Sequence, residues 1–109
     1  MSIILIKPST NIVNAPQFND ILKLGIATGF KATKKRADTC STLIITDGVN
    51  TQAANIINVT EKLVPPRSKG ATQWVKRIDI SFDNVRNISA SEQIVVNGIK
   101  WSSANVRFK

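Results

Sequence analysis

Four apolar residues in a row, Ile3 to Ile6, are followed by Lys7-Pro8-Ser9-Thr10-Asn11, a run of turn-forming residues, and this predicts a first strand over residues 2–7. Between Asn14 and Ala32 two periods compete. Phe18, Ile21, Leu22, Ile26 and Phe30 recur at helical spacing, with Asn14 placed to cap a helix and Pro16 in its first turn. Leu22, Leu24, Ile26, Thr28 and Phe30 also alternate with Lys23, Gly25, Ala27, Gly29 and Lys31, the period of a strand. Each glycine would weaken a helix by about 1 kcal/mol relative to alanine. The pattern therefore predicts a short helical turn near 15–20 and a strand from about 21 to 32.

Lys34-Lys35-Arg36 opens a polar connection, Thr42 to Thr46 reads as a short apolar strand, and Asp47-Gly48 marks a turn. Residues 50–64 fit two readings: Ala53, Ile56, Ile57, Leu63 and Val64 suit one helical face, whereas Ile57, Val59 and Leu63 suit a strand. Pro65-Pro66 ends either one. Arg67-Ser68-Lys69-Gly70 then predicts an exposed basic loop. Ile78, Ile80 and Phe82 alternate with Arg77, Asp79, Ser81 and Asp83, as in a strand with one wet face. Ile94-Val95-Val96, Asn97-Gly98 and Ile99-Lys100-Trp101 together predict a hairpin, because Asn-Gly tolerates the positive φ angles of a tight type I′ turn. Val106 and Phe108 extend or close the sheet.

Isoleucine and valine outnumber alanine and leucine, and β-branched side chains pack best on pleated surfaces. The expected fold is mainly β: a small antiparallel barrel or sandwich of about five to seven strands with one or two short helices, the alternative being α+β. At 109 residues the chain is expected to be a single domain, residues 1–109. Its 42% hydrophobic and 20% charged residues are a globular balance, which argues against wholesale disorder.

Charge changes the picture most. Fifteen Lys and Arg against seven Asp and Glu leave a formal +8, an excess that attracts polyanions or acidic protein surfaces. The candidate polyanion-binding residues are Lys34, Lys35, Arg36, Arg67, Lys69, Lys76, Arg77, Arg107 and Lys109, mostly at loops and strand ends. If the fold gathers them on one face they would neutralise several phosphates and make binding steeply salt-dependent. Aromatic residues for base stacking are few, so a sequence-specific single-strand reader is not favoured.

Candidate catalytic chemistry is thin. Without histidine the chain has no histidine triad or histidine metal site, and one cysteine, Cys40, cannot complete a cysteine zinc site. Gly25 and Gly29 are too sparse for a phosphate loop. Glu61 with Glu92, Ser68 with Lys69, and Asp79 with Asp83 are each better read as solvated surface than as an acid–base pair, a nucleophilic dyad or a cation site. Cys40, although Lys34, Lys35 and Arg36 are near in sequence, reads as a small hydrophobe rather than a reactive thiol. Asn58-Val59-Thr60 and Asn87-Ile88-Ser89 match the glycosylation acceptor pattern by coincidence, since no signal peptide is recognisable.

The expectation is thus a non-enzymatic structural or assembly protein, foremost a small virion component (coat, capsid decoration or connector subunit) that self-associates or docks on neighbouring subunits. Its basic surface would face nucleic acid or acidic partners. The alternative is a free-standing small nucleic-acid-binding module. No cofactor or metal is expected; the expected partners are other protein subunits and non-specific DNA or RNA, with no membrane. The expected location is the cytoplasm or an assembled virion, without secretion by a signal peptide.

Overall fold

A computed structural model describes residues 2–8, 17–65, 70, 72–99, 101 and 106–109, and every structural statement below concerns those residues. The alternating and continuous apolar runs form six strands: β1 (Ile3–Ile6), β2 (Ile26–Phe30), β3 (Thr42–Thr46), β4 (Thr51–Val64), β5 (Val75–Asn87) and β6 (Val106–Phe108). Three helices join them: α1 (Phe18–Leu24), α2 (Lys34–Ala37) and α3 (Ala90–Asn97). All six strands belong to one sheet in the order β2-β5-β4-β3-β1-β6. The mainly-β class and strand number are as expected. One pair, β1 with β3, is parallel, so the sheet is mixed; α1, β2 and α2 lie in the crossover that such a pair requires.

Side chains from every strand meet on one face of the sheet. Ile4 and Ile6, Ala27 and Phe30, Leu43 and Ile45, Ala54 and Val59, and Ile78, Ile80 and Phe82 share one core cluster, against which Val106 and Phe108 pack. Phe18 and Ile21 of α1, Ala37 of α2 and Cys40 complete it. On the opposite face Ile3, Leu5, Ile44 and Ala53 are covered by Ile88, Val95, Val96, Ile99 and Trp101. β1 and β3 are therefore buried on both faces, and this is why their sequences are unbroken apolar runs rather than alternating ones.

The two ambiguous segments resolve differently. α1 runs to Leu24, so residues 21–24 are helical where the alternation predicts a strand. Asp20 accepts a hydrogen bond from the Gln17 backbone N–H (3.1 Å) at the start of the helix. Gly25 ends it in the left-handed region (φ 72°), its N–H donating to the Ile21 carbonyl at 3.0 Å. The glycine that counts against a helix interior is the residue that stops one, and the strand begins after it. Thr51–Val64 is a strand because β5 along its length and β3 up to Asn55 supply backbone partners. Asp47-Gly48 makes the β3–β4 turn as expected: the Asp47 carboxylate accepts from the N–H groups of Val49 (2.8 Å) and Asn50 (2.6 Å), which hold its pKa below the usual carboxylate value. Lys34-Lys35-Arg36 is not a bare connection but most of α2, with the Thr33 hydroxyl accepting from the Arg36 N–H at 3.4 Å.

The hairpin expected at 94–101 is overturned. Ile94, Val95 and Val96 lie on α3, and β6 pairs with β1 instead. The deciding residues are Ser89 and Glu92. The Ser89 hydroxyl accepts from the Glu92 N–H (3.3 Å) while the Glu92 carboxylate accepts from the Ser89 N–H (2.8 Å), a reciprocal box that satisfies two otherwise orphaned donors. Burial of Val95 and Val96 on the sheet then outweighs the few tenths of a kcal/mol by which β-branched residues disfavour a helix. Gly98 caps α3 with φ −82°, not the positive φ of a type I′ turn. A β-carbon there would lie 3.6 Å from the Ile94 and Val95 carbonyl oxygens, ordinary contact. Gly98→Ala is expected to leave stability unchanged or raise it by up to about 1 kcal/mol, through lower unfolded-chain entropy. A thermal melt checks this; a loss of stability would restore the hairpin.

Candidate interaction surface

The structure brings five of the nine predicted basic residues to one edge. β6 is the outer strand beside β1, with Arg107 opposite Leu5 and Phe108 opposite Ile4, so consecutive side chains leave on opposite faces. On the face of the large core the Arg36 guanidinium sits 4.2 Å from the centroid of the Phe108 ring. This stacking is worth about 0.5–1 kcal/mol at an exposed site, and it brings Lys34, Lys35 and Arg36 of α2 beside the strand that carries Arg107 and is followed by Lys109. Backbone bonds between Ile3 and Lys109 (2.6 and 2.9 Å) hold the last residue in the sheet. Lys34 is partly neutralised by Asp38 at 2.6 Å, an exposed pair that contributes little to stability.

The remaining predicted cations lie elsewhere. Lys76 and Arg77 open β5, opposite Leu63 and Lys62 of β4 and separated from β6 by β4, β3 and β1 in sheet order. Lys76 is 4.0 Å from Glu61, and Arg77 is half-buried. Arg67 and Lys69 fall outside the described residues. The other candidates separate as well. Glu61 is on the β4–β5 ribbon, whereas Glu92 is held on α3 by Arg86 through two parallel bonds of 2.7 and 2.8 Å. These bonds, with help from the Ser89 N–H and hydroxyl, draw the Glu92 pKa down to about 2. Asp79 accepts from the Gly29 N–H (2.9 Å) and pairs with Lys62 (3.1 Å). Cys40 is buried in the core, its thiol directed at the Arg36 carbonyl at 3.8 Å, the setting of a small hydrophobe. Among the described residues no three His, Cys, Asp or Glu side chains gather where they could hold a metal ion. Among the same residues no helix is long and apolar enough to cross a membrane.

A second feature has no counterpart in the sequence pattern. β3 has 5 residues and β4 has 14, and their ladder stops at Thr42 opposite Asn55. The Ile56 N–H still reaches the Ser41 carbonyl at 3.0 Å. From Ile57 to Val64, among the described residues, β4 pairs with β5 on one side and with no strand on the other. Ile57 is 62% and Leu63 59% exposed along this overhang. The β6 edge carries Arg107 and is followed by Lys109, cations of the kind that defend against unwanted strand pairing, whereas this stretch of β4 exposes Ile57 and Leu63 beside Glu61 and Lys62. The mismatch of strand lengths produces the open edge, and only the ladder reveals it.

No protein-family model, curated protein or solved structure matches this chain.

Proposed function

We propose that this chain is a non-catalytic assembly protein, of the kind that forms a coat, decoration or connector subunit of a virion, and that copies of it pair through the open edge of β4. The observation that carries this reading is the unpaired stretch Ile57–Val64 with its exposed apolar side chains. Ile57 and Leu63 stand three residues either side of Thr60. An antiparallel pair of β4 edges centred on Thr60 therefore sets Ile57 of each copy opposite Leu63 of the other. The same register keeps Glu61 and Lys62 from facing their own counterparts, and like charges directly opposed are destabilising. The cationic rim at β6 stays outside such a pair, where it can meet nucleic acid or an acidic neighbour.

Size-exclusion chromatography with light scattering over a concentration series tests it. The parent protein is expected to associate as its concentration rises, and Leu63→Lys to require about tenfold higher concentration for the same association, with an unchanged melting temperature, because the side chain is exposed. A parent that stays monomeric throughout overturns the proposal. A monomer that binds polyanions with a steep salt dependence would instead support a free-standing nucleic-acid-binding module, the reading that the five cations around β6 favour.

A further inference from the structure

The β3–β4 turn and α3 flank an open cleft of about 470 Å³, within the range of roughly 300–1,000 Å³ usual for small-molecule sites. Its described lining is uncharged and rich in carboxamide residues: Asn50, Gln52, Gln93 and Asn97 line it, together with Trp101. We infer that this cleft binds a nucleotide, with the base against Trp101 and the carboxamides and the phosphate toward Lys7.

The hydrogen-bonding inventory supports a base. Gln93 and Asn97 are one helical turn apart on α3, and the Gln93 amide donates to the Asn97 side-chain oxygen at 2.8 Å. That bond leaves Gln93 Oε1 as an acceptor and Asn97 Nδ2 as a donor for a ligand. Rotating both amides exchanges the two roles but keeps one of each. The Gln52 amide is likewise spent on Asn87 (3.2 Å), leaving Oε1 as an acceptor. The donor and acceptor of a carboxamide match the edge of a nucleobase, where such side chains form paired hydrogen bonds. Trp101 is half-buried: it packs against the Ile3–Leu5–Ile44 cluster and also lines the cleft, where an aromatic residue offers a stacking partner for a base.

The charge supports a phosphate. Gly48 also lines the cleft, and Lys7 Nζ lies 3.7 Å from where a β-carbon on Gly48 would stand. The Asp47 carboxylate in the same turn is engaged by the Val49 and Asn50 N–H groups and the Asn50 amide. Lys7 is a cation beside an uncharged lining, which suits a ligand with an uncharged planar part and one anionic group. A neutral sugar would find hydrogen bonds here but leave Lys7 without a role. This inference is independent of the β4 edge, since neither α3 nor the β3–β4 turn belongs to the overhang.

The test uses the full chain carrying Trp74→Phe. Trp74 is 61% exposed, and its removal leaves Trp101 as the remaining tryptophan reporter. Each of the four ribonucleoside monophosphates is titrated while indole fluorescence is followed, with the matching nucleosides and methyl glucoside as comparison ligands. Saturable quenching by at least one nucleotide is expected. Gln93→Ala with Asn97→Ala, both on exposed positions, should weaken it by about tenfold or more without lowering the melting temperature. Lys7→Ala should weaken the nucleotide but leave the nucleoside unchanged. Absence of saturable quenching by all four nucleotides into the millimolar range overturns the inference. So does quenching that survives the double substitution, or quenching by methyl glucoside alone.

Discussion

Replacing Ile45 by alanine is expected to destabilise the protein by about 2–5 kcal/mol, the cost of emptying a large aliphatic site that cannot collapse. Ile45 is fully buried, and its strand, β3, is paired on both sides, with β1 in parallel and β4 in antiparallel register. Its neighbours in the cluster come from every other strand and from α1 and α2, so relaxation at this position would require several elements to move together. For a domain whose total stability is on the order of 5–15 kcal/mol, such a loss is a large fraction of the whole. Urea unfolding of parent and variant measures it through the shift in midpoint. Ile45→Val, which removes one methylene, should cost only about 0.5–1.5 kcal/mol. A loss below about 1 kcal/mol for the alanine variant would mean that the two-sided burial of β3 is wrong.

Acid should remove a second contribution through Glu92. Its carboxylate is bound by both Arg86 guanidinium nitrogens and by Ser89, which lower its pKa from 4.5 to about 2 in the folded chain. A lowered carboxylate pKa stabilises the folded state at pH values above the unfolded-chain value of 4.5. That stabilisation is lost as the pH falls from there toward 2. Because Arg86 is partly open to water, the contribution is on the order of 2 kcal/mol rather than the full value of the shift. Glu92→Gln should therefore lower stability near pH 7 by that amount and flatten the loss between pH 4.5 and 2. Asp47 titrates in the same direction, and it remains in the variant. The measurement is thus the difference between parent and variant melting curves across that window. Parallel curves would show that Arg86 and Glu92 do not form the pair described.

Several elements are legible in the chain itself because their signals are local. Ile3–Ile6 and Thr42–Thr46 are apolar runs with turn residues beyond them, and Ile78, Ile80 and Phe82 alternate without a rival period. Asp47-Gly48 carries its own turn, since the carboxylate that accepts from Val49 and Asn50 is part of the motif. The Ser89-x-x-Glu92 box is equally readable, and it outranks Asn97-Gly98 because it fixes where a helix starts. Asn-Gly is ambiguous: it ends a helix as readily as it turns a hairpin, depending on what precedes it. The candidate basic residues are identifiable as a set, but not their grouping, because Arg36 and Phe108 meet only when α2 is laid against the last strand.

The chain's own periodicity and composition determined that it forms a basic, β-rich body with an unbroken apolar centre, since alternation and β-branching act within a few residues of one another. Tertiary structure alone decided that β1 pairs with β3 in parallel, that β4 outruns β3 and leaves an open edge, and that residues of α3 and of the β3–β4 turn line one cleft. The reason is physical. Which strands become neighbours depends on burying both faces of β1 and β3 at once, a condition set by the whole sheet and both helical layers together.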